Sequence, residues 1–160
     1  MKHASYDPGC GVCRANNGES EVPGGTIFEN DLWLMRHSPP PHVLPGWMMF
    51  HPQRHVQGPA HFTDDEAANC GLALRHVSKT LEEVTGALRI YTVAFGESFP
   101  HMHAHLVPRY AEMPDGATAW NIADLFRAVS AGERPAAAEQ DVLQVIERFR
   151  QALSDSPPPR

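Results

Sequence analysis

His101, His103 and His105 occupy alternate positions of His-Met-His-Ala-His-Leu-Val-Pro-Arg, residues 101–109. Side chains of a strand alternate between its faces. The spacing therefore predicts a half-buried strand with three imidazoles on one face and Met102, Ala104 and Leu106 on the other. Near neutral pH an imidazole can attack, carry a proton or bind a metal. A buried row of them needs partners, because unpaired polar groups are costly inside a protein. A histidine cluster on a surface strand is the chemically silent alternative. Pro108 is expected to end the strand, since proline cannot donate to a ladder. Ser98 lies just upstream and Arg109 just downstream.

Cys10-Gly-Val-Cys13 has the spacing with which a turn lets two thiolates grip one ion. A redox pair uses the same spacing, usually at a helix N-terminus after a strand. Gly9 and the Gly-Val spacer do not suggest that setting. Two reduced thiols in a loop are the third possibility. Cys70 falls on the apolar stripe of a predicted helix and reads as a small core residue.

The elements that must position these groups follow from the remaining pattern. Residues 1–25 are rich in glycine, proline and polar residues and predict an irregular N-terminal lobe. Short strands are expected at 26–28 and 32–35, a stiff proline loop at 37–46 and a strand at 47–50. Thr63 with Glu66 forms a capping-box pattern. It opens a helix whose apolar stripe is Cys70, Leu74, Val77, Leu81 and Val84, and Thr85-Gly86 closes it. Residues 88–95 predict a strand beside the histidine strand. A short helix at 121–129 and a long one at 139–153 follow, the latter with Val142, Val145, Ile146, Phe149 and Leu153 on one face. The expectation is a single α+β domain over 1–155, an antiparallel sheet with one long central helix and a C-terminal helix, and a flexible tail at 156–160.

Composition narrows the function. The chain has 160 residues and a net charge of -6, which argues against general nucleic-acid binding. It leaves room for a small anionic ligand in a donor-rich pocket. No apolar run is long enough to span a bilayer, and no signal peptide is visible, so a cytoplasmic protein is expected.

The stretch from His101 to Arg109 resembles the signature of the histidine triad (HIT) family, in which histidines alternate with apolar residues. Gly96-Glu-Ser98 is similar to the family's approach to the triad. Cys10-Gly-Val-Cys13 and Pro52-Gln-Arg-His55 extend the resemblance over about residues 8–110. It implies a HIT-like fold and a hydrolase or nucleotidyl transferase acting at the α-phosphate of a nucleotide conjugate, either a dinucleoside polyphosphate or a nucleoside phosphoramidate.

By that resemblance His103 is the nucleophile. It would form a covalent nucleotidyl-histidine that water later hydrolyses. His105 would donate to phosphate oxygens, Ser98 would support the phosphate or the leaving group, and the Gly96 backbone would approach the substrate. Arg109 would either bind phosphate or serve the proline turn. Cys10, Cys13, His55 and His101 would hold a structural zinc, with His51 and His42 as nearby alternatives to His55. Relatives of this kind are commonly homodimers. Two rivals stand beside this reading. One is a metal-dependent hydrolase with an open site on His-x-His. The other is a nucleotide-binding module without significant catalysis.

The sequence departs from the family twice. Met35-Arg36-His37-Ser38-Pro39 lacks the aspartate that grips ribose in many members, and residues 89–95 lack the usual asparagine. Trp33, Trp47 and Phe95 could stack on a base, but each is expected in the core.

Overall fold

The computed structural model describes residues 3–113 and 115–159. The capping box forms as the sequence predicts. Glu66 N–H donates to the Thr63 hydroxyl, and the Glu66 carboxylate accepts from Thr63 N–H at 2.7 Å. These bonds satisfy donors that the first turn would otherwise leave free. The helix they open, α2 (Asp64–Thr85), is closed by Gly86 in the left-handed conformation (φ 68°), where a side chain would be strained. Its most buried apolar face is Ala73, Val77 and Leu81. Cys70, Leu74 and Val84 pack at the edges of that face, a small rotation from the expected stripe.

Five strands form one antiparallel sheet: β1 (Phe28–Glu29), β2 (Trp33–His37), β3 (Met48–Pro52), β4 (Arg89–Val93) and β5 (Ala104–Arg109), in the order β1-β2-β3-β5-β4. Alternation divides the faces. Trp33, Met35, Met48, Phe50 and Leu106 join the core under α2 and under α4 (Glu139–Asp155), which contributes Val142, Ile146, Phe149 and Leu153. The α+β class with a long central and a C-terminal helix is as expected.

The opposite face carries chemistry. Arg36 pairs with Met49, and Met49 pairs with His105, so these three side chains form one row across β2, β3 and β5. Two features cover this face. One is the N-terminal segment with its helix α1 (Gly11–Asn16). The other is a second apolar cluster of Val43, Trp47, Val107, Ile122 and Val129, to which α3 (Ile122–Ser130) contributes.

Several expectations need correction. The lobe at 1–25 is not wholly irregular, because Cys10 caps α1 and Cys13 lies within its first turn. Strand β5 begins at Ala104, so His101 and His103 precede it. Pro108 lies inside β5 and does not end it. Leu88 N–H donates to Arg109 O on the β4 side. Pro108 therefore faces the β3 side, beyond Leu106 where β3 pairing stops, and no ladder bond is lost there. Phe95 is 72 % exposed and does not belong to the core. The tail is tied to α2: Asn69 Nδ2–H donates to Pro159 O at 3.0 Å, and Pro158 is buried. Among the described residues no helix is long and apolar enough to cross a membrane.

Candidate functional site

Four side chains from three segments converge behind the triad. Cys10 and Cys13 come from the start of α1, His55 from the exit of β3 and His101 from the approach to β5. Hydrogen bonds hold these segments together. His101 Nε2–H donates to Pro52 O at 3.0 Å, and Met102 N–H donates to Val56 O at 2.7 Å. Arg54, beside His55, makes a two-pronged ion pair with Glu66 at the α2 cap. His55 N–H donates to Ser5 Oγ.

The ligand-capable atoms all lie within 4.8 Å of one another. Cys13 Sγ is 3.2 Å from His55 Nδ1 and 3.4 Å from His101 Nδ1, and Cys10 Sγ is 3.8 Å from His101 Nδ1. The edges of a tetrahedron with usual zinc–sulfur and zinc–nitrogen bonds are roughly 3.3–3.8 Å. The three short spacings are close to those edges and the spread reaches 4.8 Å, so the two sulfurs and two nitrogens could hold one tetrahedral ion after a small closure. Burial pushes the Cys13 thiol up to about 11 and His101 down to about 4. Because Nε2 of His101 is spent on Pro52 O, its Nδ1 lone pair is directed to the cysteines, the usual second partner of a ligating histidine. His51 and His42 stay outside the group. The His51 ring packs 5.8 Å from that of His101, and His42 packs on His37.

The other two triad histidines face a different space. His103 Nδ1–H donates to His101 O at 2.7 Å, so in the neutral ring the lone pair is on Nε2. Trp47 Nε1–H donates to His105 Nδ1 at 3.0 Å. Indole nitrogen can only donate, so His105 Nδ1 must accept and its proton sits on Nε2. Burial, then the neighbouring His103, holds His105 down to about 4, so it stays neutral. The two rings are 5.3 Å apart at their centroids.

Both histidines line a cavity of about 430 Å³ shared by Ser98, Phe99, Ser38 and Arg36. That is ample for a small ligand. Gly11 sits so close to Phe99 that a Cβ there would fall 2.8 Å from the ring, which seats α1 against the pre-triad loop. Gly96 has φ +69°, which explains glycine there, but it does not line the cavity. Arg109 donates to Tyr110 O and lies outside the cavity wall.

Sequence reasoning missed Trp47 as a histidine partner and Arg36 as a cavity residue. A charge inside the buried run Trp-Leu-Met-Arg-His of β2 was the available signal for Arg36. It is 6 % exposed, and burial lowers it to about 10.

A family model for the HIT domain matches residues 19–112, more than half of the chain. The chain belongs to the HIT domain family. Solved structures agree on the fold. A hypothetical histidine triad nucleotide-binding protein from Sulfolobus tokodaii superposes with a TM-score of 0.66 at 16% identity, over 91% of this chain and 93% of that one. A zinc-bound histidine triad family protein from Mycobacterium smegmatis gives 0.64 at 15%, over 91% and 94%. A Hit-like protein from Bartonella henselae, described as involved in cell-cycle regulation, gives 0.63 at 15%, over 92% and 99%. No curated protein matches this HIT domain chain in sequence.

Proposed function

We propose that this HIT domain protein hydrolyses nucleotide conjugates, phosphoramidates or dinucleoside polyphosphates, at the α-phosphorus through a nucleotidyl-histidine on His103. The observation that carries the reading is the 2.7 Å bond from His103 Nδ1–H to His101 O. It fixes the tautomer whose Nε2 can attack without first losing a proton.

Nε2 attacks the α-phosphorus, the phosphorus–nitrogen bond forms, and the bond to the leaving group breaks. Ser98 on the cavity wall supports the departing group, which takes up a proton from solvent; the later attack by water returns one. The Nε2–H of His105 donates to a non-bridging oxygen as charge builds there, a fixed dipole that needs no reorganisation. Water then attacks the same phosphorus, releases the nucleoside monophosphate and returns His103 to its starting state. His105 remains neutral throughout, because Trp47 occupies its other nitrogen.

A structural zinc on Cys10, Cys13, His55 and His101 belongs to the same reading. The near-tetrahedral donor spacing supports it, and the zinc-bound family member with the same fold adds weight. Four protein ligands leave such an ion no open position, so it would hold the triad's approach in place without joining the reaction. The rival open metal site on His-x-His has less support. His101 is turned to the cysteines, and the bond from Trp47 leaves the proton of His105 on Nε2, so only Nε2 of His103 offers a lone pair. A homodimer through the free edge of β4, flanked by exposed Leu88 and Phe95, completes the proposal.

Hydrolysis of a nucleoside phosphoramidate in water enriched in heavy oxygen tests the function. The expected label is in the nucleoside monophosphate, with turnover abolished in His103→Ala. Undiminished turnover in that variant would overturn the proposal.

A further inference from the structure

The two cysteines of the metal cluster stand where a disulfide can form between them. Cys10 O accepts from Arg14 N–H at 3.0 Å, so Cys10 already lies on the helical path of α1. Cys13 follows three residues on, inside the first turn. Residues three apart on a helix have α-carbons about 5 Å apart, within the span that a disulfide bridges. Their sulfurs belong to a group of atoms that all lie within 4.8 Å of one another. Cys70 is outside that group and packs against the main core instead.

Helix α1 contributes to two separate cavities. Gly11, Val12 and Ala15 line the one that holds His103 and His105. Cys13, Asn16 and Asn17 line another of about 550 Å³, shared with His3, Tyr6 and Gln53 and with no histidine of the triad. A small neutral oxidant entering there meets Cys13 without passing the substrate. The cluster is also joined to the nucleophile through one residue. His101 turns Nδ1 to the cysteines, and its carbonyl oxygen accepts from His103 Nδ1–H at 2.7 Å. Whatever loosens His101 therefore loosens the orientation of His103.

We propose that Cys10 and Cys13 are a peroxide-sensitive pair whose oxidation dismantles the metal site and releases the hold on His103. The inference rests on the metal reading above and adds its reversible loss. The Cys13 thiolate attacks one oxygen of hydrogen peroxide. The oxygen–oxygen bond breaks, hydroxide leaves, and Cys13 becomes a sulfenic acid. The Cys10 thiolate then attacks that sulfur, the disulfide bond forms, and a second hydroxide leaves. Two electrons pass from the sulfurs to the peroxide, which ends as two waters with two protons from solvent. Two imidazoles alone cannot complete a four-coordinate site, so the ion is released. His101 is then no longer held towards the cysteines. Reduction of the disulfide restores both thiolates, which sulfinic acid formation would not allow.

Treatment of the zinc-loaded full chain with a small excess of hydrogen peroxide tests this. A chromogenic chelator reads released zinc, and mass spectrometry after alkylation reads the state of each cysteine. The expected result is release of the bound zinc, a disulfide between Cys10 and Cys13, and loss of turnover. A phosphine reductant with added zinc should restore all three. Cys70→Ser should behave as wild type. Zinc retained with both thiols still open to alkylation overturns the proposal. So does a disulfide to Cys70, or oxidation that runs on to sulfinic acid at either cysteine. Full turnover by the oxidised, zinc-free chain also overturns it. An untreated chain that holds no zinc would instead remove the metal reading, and this inference with it. An untreated chain without turnover would remove the nucleotide reading, while the zinc and thiol readouts still decide whether the pair is oxidised as proposed.

Discussion

The indole of Trp47 donates to Nδ1 of His105 across 3.0 Å, with the two rings nearly perpendicular at 87°. Trp47 opens the segment that leads into β3, and His105 lies in β5, so the bond ties the loop after the prolines to the triad. It decides which nitrogen of His105 faces substrate. Trp47→Phe keeps the apolar body and removes the donor. Turnover should fall about tenfold, the equivalent of one hydrogen bond. Nitrogen NMR of His105 should change from a single Nε2–H form to a mixture of tautomers. An unchanged tautomer in the variant would mean that another group fixes it.

Metal binding is tested by composition. Wild type purified without chelator should carry one zinc ion per chain, and Cys10→Ser should carry little. Its thermal unfolding temperature should drop, because a structural ion contributes folding free energy directly. Elemental analysis with melting curves checks both. Full zinc content in the variant would contradict the ligand assignment.

His37 gives the stability a pH dependence. Its Nε2 accepts from Gly46 N–H at 3.2 Å and its Nδ1–H donates to Ser38 O, which closes the base of the proline loop around a neutral ring. Burial lowers it to about 4. The unfolded chain, near 6.5, takes up the proton first, so stability is full above that pH and declines as pH falls towards 4. Between about pH 7 and pH 5 the loss from this residue should be about 2 kcal/mol. His51 and His105 act in the same direction. Urea unfolding of wild type and His37→Asn at both pH values isolates the His37 share, as the variant should lose less on acidification. Equal losses would contradict the buried neutral ring.

The parts legible in the sequence were those governed by local pattern. Thr63 and Glu66 announce α2 because a cap depends on residues three apart. Val142, Ile146, Phe149 and Leu153 announce the buried face of α4 by their period. Cys10, Cys13, His55 and His101 came from family resemblance, and the fold brings them together. The rest depends on pairing between distant strands. Nothing local places Arg36 opposite Met49 and Met49 opposite His105, so the cavity's charged wall appears only once the register is known. Phe95 read as core by residue type, yet it follows β4 at the edge of the sheet with no element packed over it. Cys10 and Cys13 read as a loop because glycine flanks them. Packing of Val12 and Cys13 in the interior, with Gly11 pressed against Phe99, outweighs that weak preference and forms α1.

The central claim is that His103 carries the nucleotidyl group. Rapid acid-free quenching of the enzyme with a nucleotide conjugate radiolabelled at the α-phosphate measures it directly. Wild type should trap label on the protein within the first turnover, His105→Ala should trap it more slowly, and His103→Ala should trap none. Equal trapping in wild type and His103→Ala would contradict the assignment of His103 as the nucleophile.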